Sequence, residues 1–470
     1  MVHRAFFFIS MFLLIFGPKS NGWLDVVSLT SSFLLVIHFF FYNGTHIPVT
    51  AKHRMSLVLA AFAVLLAYAS GHLLANPDAS NYQVLRFGRV IVNFAGIGCL
   101  ISMYFRRYGE QASRVILQHL FGCLVAHAVV MLTMYYSHSF RDLIVNQVVQ
   151  ADPDSRTYLA KLTGYRIAGL TDSWDALSGL QCLGLLMIPL LLTNNVGISY
   201  TLAICSAPLL IFSVAISGRT GFVTAAVLFP LALGFSEFRR LYRAAIVASA
   251  IGIVGLLAVT GPLRTSVLAA LEESSLGRTF AMFGWNASVK ESPGGQMSET
   301  FWSILHEHYF LPETWSVFVW GSGGSGRDTW DYIAADNGLV LNLHNLGIGG
   351  FLLIYSLVAA CWLSGWRLRC HDRALAGVCV IAVSLMLLID FKVMYMFSRN
   401  GFSVMMIPVL TCWFKSTPGS DRIAPVTDRF TAAATLSSPF RPGIVTGAGR
   451  RMPMAAHQRM SLASEAGRSS

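Results

Sequence analysis

Several arginines stand out in this 470-residue chain because they border runs of apolar residues. Arg86 and Arg89 lie three positions apart and therefore share a face of any helix that contains them. Arg166 and Arg219 come just before apolar runs, and Arg219 lies in the short sequence Ser-Gly-Arg-Thr-Gly. Guanidinium groups bind phosphates and carboxylates through several N–H donors. The set therefore predicts an anionic ligand.

A second group of arginines lies in the long segment 263–338, which separates two apolar runs and contains Arg264, Arg278 and Arg327. Any single arginine could instead anchor a helix end by reaching toward lipid headgroups. For Arg219 a functional role is favoured over anchoring. Its short turn gives the side chain no long loop in which to move, and it begins a helix whose N-terminus attracts anions. The two groups together predict a phosphorylated lipid as the ligand.

The segment IAADNGLVLNLHNLGIGGFLLIY, residues 333–355, passes from a polar start into an apolar run. Asp336 has two compatible interpretations, a helix N-cap or a general base that takes a proton from a sugar hydroxyl. The substitution Asp336→Asn separates them, since Asn caps a helix about as well but cannot accept the proton. Asn337 either orients this carboxylate or continues the cap. Gly347 and Gly350 indicate close helix packing rather than ligand contact.

Three further motifs are better interpreted as turns than as nucleotide-binding or metal-binding sites. GSGGSGRDT, residues 321–329, is similar to a nucleotide phosphate loop, but Arg327 and Asp328 stand where that loop has Lys and Ser/Thr. HEH at 306–308 lacks the i, i+4 spacing that places two histidines on one helix face. DPD at 152–154 has its proline within a polar loop. We therefore expect no metal site.

The composition is unlike that of a soluble globular protein, since 54% of the residues are apolar and only 12% are charged. Apolar runs close to the length of about 20 residues that spans a bilayer predict an all-α polytopic membrane protein with about 12 helices. The first run, Ala5 to Gly17, is short but lacks a small-residue cleavage site, so we interpret it as a membrane helix rather than a signal sequence. The runs lie at 5–17, 23–42, 55–74, 85–105, 115–136, 176–194, 198–216, 220–236, 244–262, 339–364, 374–391 and 401–414.

Short basic loops set the orientation of such a bundle. If each run crosses once, the basic loops all fall on one side, which is predicted to be cytoplasmic and to hold both termini. The net charge of +11 then reflects orientation and not a nucleic-acid surface. We expect a membrane domain over 1–414, which includes the large outer loop 263–338, and a disordered cytoplasmic tail over 415–470. The cysteines lie in apolar runs or a cytoplasmic loop, so no disulfide is expected.

The same residues carry a resemblance that extends from about Arg86 to Phe414. The chain resembles the Wzy polymerases of O-antigen and related bacterial polysaccharides and, more distantly, the WaaL O-antigen ligases that share their membrane fold. YRIAGLTD, around Arg166, is similar to the family's Arg-x-x-Gly-Leu segment. SGRTGFVTAAVLFPLAL places Arg219 on the family's first essential arginine, and LGRTFAMFGWNASV places Arg278 on its second. VFVWGSGGSG and DNGLVLNLHNLGIGGF are similar to the glycine-rich turn and the closing segment that follow.

The resemblance implies a GT-C-like fold with a helical periplasmic loop, in the inner membrane of a bacterium. It implies a metal-independent, inverting glycosyl transfer without a cofactor at the periplasmic face. The donor would be a growing glycan on undecaprenyl pyrophosphate, and the acceptor a new lipid-linked repeat unit. Expected partners are these lipid-linked glycans, membrane lipids and a chain-length regulator protein. The implied catalytic residues are Asp336, Arg219 and Arg278, and the implied substrate-binding residues are Arg166, Arg89 and Asn337.

One departure from the wider family bears on the choice of activity. Ligases carry a His-Asn pair at the position of Asp336-Asn337, which favours a polymerase here. A ligase that transfers glycan to lipid A-core stays an alternative, as does a polysaccharide or lipid transporter. Carriers of this size usually show two similar halves with polar groups near the bilayer midplane, whereas this sequence has no internal repeat and gathers its charge at the outer rim.

Overall fold

The structure is a computed structural model that describes residues 2–18, 25–42, 47–75, 81–145, 167, 169–171, 174–194, 196–218, 220–236, 309–323, 337–392 and 394–415. Within these residues all regular structure is helical, as the sequence predicts. The α-helices in chain order are α1 Val2–Phe16, α2 Val26–Tyr42, α3 Val49–Ala75, α4 Tyr82–Tyr108, α5 Ala112–Tyr136, α6 His138–Leu143, α7 Trp174–Thr193, α8 Tyr200–Ser217, α9 Thr220–Phe235, α10 Trp315–Trp320, α11 Gly338–Arg367, α12 Arg373–Asp390 and α13 Arg399–Lys415.

The helices match the apolar runs of the sequence. Within the described residues, five helical stretches are long and apolar enough to cross a membrane, and four shorter helices are also apolar. The long stretches include α3, α8 and α12. Eleven of the twelve predicted runs fall on α1 to α5, α7 to α9 and α11 to α13. The remaining run, 244–262, lies outside the described residues.

The bundle has an inner and an outer set of helices. In the most apolar window of α12, 78% of the residues are buried, whereas the corresponding share for α3 is 28%. α12 packs against α7, α9, α11 and α13, and α4 packs against α2, α3 and α13. The side chains of α3 that face away from the bundle form part of an apolar outer surface, as expected for helices whose surroundings are lipid.

Small residues mark the places where these helices cross most closely. Helices in lipid gain little from burying apolar surface, so they associate through close van der Waals contact and interhelical hydrogen bonds. Gly221, at the start of α9, lies against Ser178 of α7, and its N–H donates to Ser178 Oγ at 2.9 Å. A methyl group at Gly377 of α12 would approach the side chains of Leu190 and Phe235.

Two ends of the bundle are defined by contacts between helix termini. At the first, which we call the Asp390 end, the C-terminus of α12 and the turn after it meet the starts of α9 and α11, and Tyr355 and Asn342 of α11 link Asp390 to Arg86 of α4. At the second, the Lys415 end, the C-terminus of α13 meets the start of α12 and of α5. The described helices belong to the unit Met1–Pro425, and the unit Val426–Ser470 lies outside the described residues.

Candidate functional site

Arg86 is the most deeply buried described arginine at the Asp390 end, with a side-chain exposure of 6%. It lies one turn after Gln83 on α4, and its Nη1 donates to Gln83 Oε1 at 3.2 Å and to Asn342 Oδ1 of α11 at 3.1 Å. The guanidinium also lies over the ring of Phe397, 5.1 Å from the ring centroid. The charge is therefore held in place by hydrogen bonds and by a cation–π contact.

The hydrogen bonds continue from Arg86 to an acid. Asn342 Nδ2 donates to the hydroxyl of Tyr355 at 3.2 Å, and this hydroxyl donates to Asp390 Oδ2 at 2.6 Å. The other oxygen of Asp390 accepts from the backbone N–H groups of Tyr395 and Met396, at 3.1 and 3.3 Å. We call Arg86, Asn342, Tyr355 and Asp390 the buried network, since it links α4, α11 and α12 through polar groups inside an apolar bundle.

Asp390 occupies an unfavourable position on its own helix. It is the last residue of α12, where the helix carbonyl groups repel a negative charge, and it is fully buried. The start of α11 offsets this repulsion, because the carboxylate of Asp390 lies against Gly338 so closely that a Cβ at Gly338 would overlap it. Glycine at position 338 therefore lets the positive end of the α11 dipole approach the acid.

Several N–H donors at this end have no hydrogen-bond partner among the described residues. Such buried, unsatisfied groups are costly and are uncommon in folded proteins. They belong to side chains of α4 and to the N-cap residue of α11. The atoms are Gln83 Nε2, Arg86 Nη2, Arg89 Nε and Asn337 Nδ2. A ligand with several acceptor oxygens would satisfy them.

Two of the predicted site residues lie in the described part of the chain. Arg89 is half-buried on α4, one turn after Arg86. Asn337 is buried and is the N-cap of α11, since its Oδ1 accepts from the N–H of Leu339 at 2.8 Å. The interpretation of Asp336 as the cap is therefore wrong, because the helix begins one residue later than that interpretation requires.

The other predicted site residues, Arg166, Arg219, Arg278 and Asp336, lie outside the described residues, as do Arg264 and Arg327. Arg166 and Arg219 are followed directly by described residues, Ile167 and Thr220. Ile167 N–H donates to the carbonyl of Ile216 at 3.0 Å. The backbone next to Arg166 is therefore attached to the end of α8, three residues before Arg219.

The turn after α12 contacts further neighbours of the predicted residues. Lys392 Nζ donates to Oγ1 of Thr220 at 2.9 Å. Gly338, two positions after Asp336, lies against Asp390. The described sequence neighbours of Arg219 and Asp336 therefore both contact residues 390–392. No described residue lies near Arg278 in the sequence.

Tyr309, within the long segment 263–338, adds a further contact. Its hydroxyl donates to the carbonyl of Phe391 at 2.6 Å. Burial raises the pKa of the Tyr309 phenol above its ordinary value, so the hydroxyl keeps its proton at neutral pH and remains a donor. This bond ties the chain that enters α10 to the same turn that contains Asp390.

α11 is interrupted at Gly347, whose φ of 63° lies in the left-handed region. The carbonyl groups of His344 and Asn345 accept instead from the backbone N–H groups of Ser322 and Gly323, at 2.7 and 3.1 Å. The predicted close packing is correct for Gly347, which meets the turn after α10 rather than another membrane helix. For Gly350 it stays a prediction, since the three atoms nearest to an added methyl group belong to the side chain of Leu346 in the same helix.

Sequence reasoning missed the acid of the buried network and its partners. The three residues Asp390, Asn342 and Tyr355 each lie in an apolar run of the sequence. The available signal was Asp390 itself, because an acid at the end of the apolar stretch LMLLID is costly in a membrane and therefore informative. Arg86 and Asn342 are 256 positions apart, so no local spacing relates them.

No protein-family model matches this chain, and no curated protein matches it with significant similarity. Within the described residues, no three or more His, Cys, Asp or Glu side chains are grouped so that they could hold a metal ion. The buried network and the donors without partners therefore carry the functional argument.

Proposed function

We propose that this protein polymerises lipid-linked oligosaccharide repeat units at the periplasmic face of a bacterial inner membrane. In this proposal it is a GT-C-like protein with twelve membrane helices and two cytoplasmic termini, so that the Asp390 end faces the periplasm. One observation carries the proposal. Three features lie together at the Asp390 end of an apolar bundle: the N–H donors without partners, the buried network, and the sequence neighbours of Arg219 and Asp336.

The donor substrate would be a glycan on undecaprenyl pyrophosphate. Its pyrophosphate offers many acceptor oxygens and several negative charges, which suit the free N–H groups of Arg86, Arg89 and Asn337. Arg219 and Arg278, with Arg166 beside them, would hold the same group and stabilise the negative charge that grows as the glycosidic bond breaks. Because the leaving group is already activated, the reaction needs neither a nucleotide sugar nor a metal.

Bond formation would follow an inverting displacement. The acceptor hydroxyl of a new lipid-linked repeat unit attacks the anomeric carbon, and the bond from this carbon to the pyrophosphate oxygen breaks. The pyrophosphate leaves with the bonding electrons, and Asp336 takes the proton of the hydroxyl. Asp390 is unsuited to this role, because it is fully buried and both of its oxygens already accept hydrogen bonds.

The broken helix α11 bears on the transport alternative. Transporters often bind an ion through the free carbonyl groups of an interrupted helix. Here two of the carbonyl groups beside the break at Gly347, those of His344 and Asn345, are paired with the N–H groups of Ser322 and Gly323. The break therefore favours a fixed site over an ion-coupled carrier.

The test is a polysaccharide ladder on a gel from a strain that lacks the gene and carries variants at matched membrane levels. We expect Asp336→Asn, Arg219→Lys and Arg278→Lys to leave single repeat units on the lipid core. A complete loss of repeats from the core would indicate the ligase instead.

The control is Arg367→Gln, since Arg367 is exposed at the opposite end of α11. This variant should give the normal ladder. A normal ladder from Asp336→Asn would remove Asp336 as the base, and normal ladders from all three site variants would exclude the proposed function.

A further inference from the structure

Two adjoining cavities lie at the Lys415 end, on the side of the bundle away from the buried network. The first is a groove of about 570 Å³ between the last turns of α9 and α11. One part of its wall is apolar and is formed by side chains that include Val227, Pro230, Phe235 and Trp366. Trp366 stacks on Trp362 at 5.2 Å and meets Phe235 edge-on at 5.6 Å, so aromatic rings close one side of the groove.

The second cavity is a basin of about 330 Å³ with charged walls. Arg114 of α5 and Lys415 of α13 contribute to it, together with Asp372 and Arg373 at the start of α12. Cys370 and Arg373 line both cavities, so the groove and the basin are neighbours.

The charges around the two cavities do not balance. Asp372 accepts from the N–H of Leu375 at 3.0 Å and forms an ion pair with Lys415 at 2.7 Å. Its charge is therefore already matched by Lys415. Arg114 and Arg373 are exposed at the basin and add positive charge without a described acid at ion-pair distance.

Arg369 extends this positive surface to the rim of the groove. Its guanidinium lies 4.4 Å from the ring centroid of Trp366, so a cation–π contact holds it beside the apolar wall. The ligand that suits this arrangement carries an anionic phosphate at one end and a hydrocarbon chain at the other. Basic pockets between membrane helices at a cytoplasmic surface are suited to the headgroups of acidic lipids.

We propose that the groove and the basin together bind one glycerophospholipid with an anionic headgroup. An acyl chain lies in the groove against Trp366 and Phe235, and the phosphate lies where the two cavities adjoin, between Arg369 of the groove and Arg114 and Arg373 of the basin. This site is independent of the proposed glycan polymerisation, since it lies at the other end of the bundle and shares no residue with the buried network.

The test compares lipid binding by the full chain in detergent micelles, with native mass spectrometry as the readout. Phosphatidylglycerol and phosphatidylcholine with the same acyl chains are the two probes. We expect phosphatidylglycerol to be retained and phosphatidylcholine to be lost. The double variant Arg369→Gln/Arg373→Gln should bind phosphatidylglycerol about 30-fold more weakly, which is the size of effect expected for two basic residues at an acidic lipid.

The matched control is Arg367→Gln, because Arg367 is exposed on the same turn but lines neither cavity. It should bind as the unaltered chain does. Equal retention of both lipids, or an equal loss in the control, would overturn the proposal. Displacement of phosphatidylglycerol by glycerol phosphate would also overturn it, since the groove would then contribute nothing.

A photoactivatable phosphatidylglycerol provides a second measurement that needs no substitution. Cross-linking of the unaltered chain should mark the peptide that contains residues 366–373. Cross-links spread evenly over the apolar helices, with no preference for this peptide, would contradict a specific site even if the variants proved unstable.

Discussion

α12 carries an acid at each end, and the two acids are held in contrasting ways. Asp372 precedes the helix, caps it and pairs with Lys415 at a partly exposed surface. Asp390 ends the helix, is fully buried and depends on Tyr355, two backbone N–H groups and the start of α11. The first acid follows the helix dipole and the second opposes it. The difference indicates that Asp372 serves the helix, whereas Asp390 organises the residues around it.

The largest effect is expected at Asp390. The substitution Asp390→Ala leaves the Tyr355 O–H hydrogen and two backbone N–H groups without a buried acceptor and should lower the free energy of unfolding by about 3–5 kcal/mol. Asp372→Ala removes a cap and a partly exposed ion pair, with an expected loss of about 1–2 kcal/mol. Denaturant unfolding in detergent measures both. Equal losses of free energy of unfolding would contradict the claim that Asp390 organises the residues around it while Asp372 only stabilises its own helix.

The next effect is expected at the break in α11. Gly347→Ala places a side chain at a φ of 63° and against the backbone of Val319 and Gly321, so it should destabilise by about 1–3 kcal/mol. Gly349→Ala is the matched control, because no atom lies within 4 Å of the added methyl group. The control should be neutral or slightly stabilising. Thermal unfolding followed by tryptophan fluorescence compares the two, and similar shifts would show that the break is not needed.

A smaller effect is expected for Tyr355→Phe, which keeps the ring and removes only the hydroxyl. Asp390 then loses one donor but keeps the N–H groups of Tyr395 and Met396. The expected destabilisation is about 1–2 kcal/mol. If Tyr355 also positions Arg86 through Asn342, the polysaccharide ladder shortens in this variant. A full ladder and an unchanged free energy of unfolding would show that the Tyr355 hydroxyl neither stabilises Asp390 nor positions Arg86.

The smallest effect is expected at the Lys415 end. The Lys415→Gln variant loses an ion pair whose side chains are 31% and 15% exposed, so the loss should be below about 1 kcal/mol. High salt should reduce the difference further, since exposed charges are screened. A loss as large as that of Asp390→Ala would place the more important acid at the other end of α12.

The positions of the helices were accessible to sequence reasoning, and the contacts between helices were not. Hydrophobicity alone located the helices on which eleven of the twelve runs fall. The spacing of Arg86 and Arg89 placed both on one face of α4. The partner of Arg86 could not be predicted, because α11 meets α4 through tertiary packing and Asn342 has the same local signature as any polar residue in an apolar run.

The break in α11 could not be predicted for a related reason. The spacing of Gly347 and Gly350 is compatible with an unbroken helix, and only a backbone partner outside that helix makes the left-handed conformation favourable. That partner is the Gly321–Gly323 turn, whose own glycines have φ values of 75° and 68° at its two ends. The backbone N–H groups of the turn pair with the carbonyl groups of α11, and nothing in either sequence segment indicates the other as its partner.

The pairing of Ser322 and Gly323 with the carbonyl groups of α11 has a mechanical consequence. The turn holds α11 in its bent form, because straightening α11 would require both of these hydrogen bonds to break. The half of α11 that holds Asn342 is thereby coupled rigidly to α10. A displacement of α10 would therefore be transmitted to Asn342, and through it to Arg86.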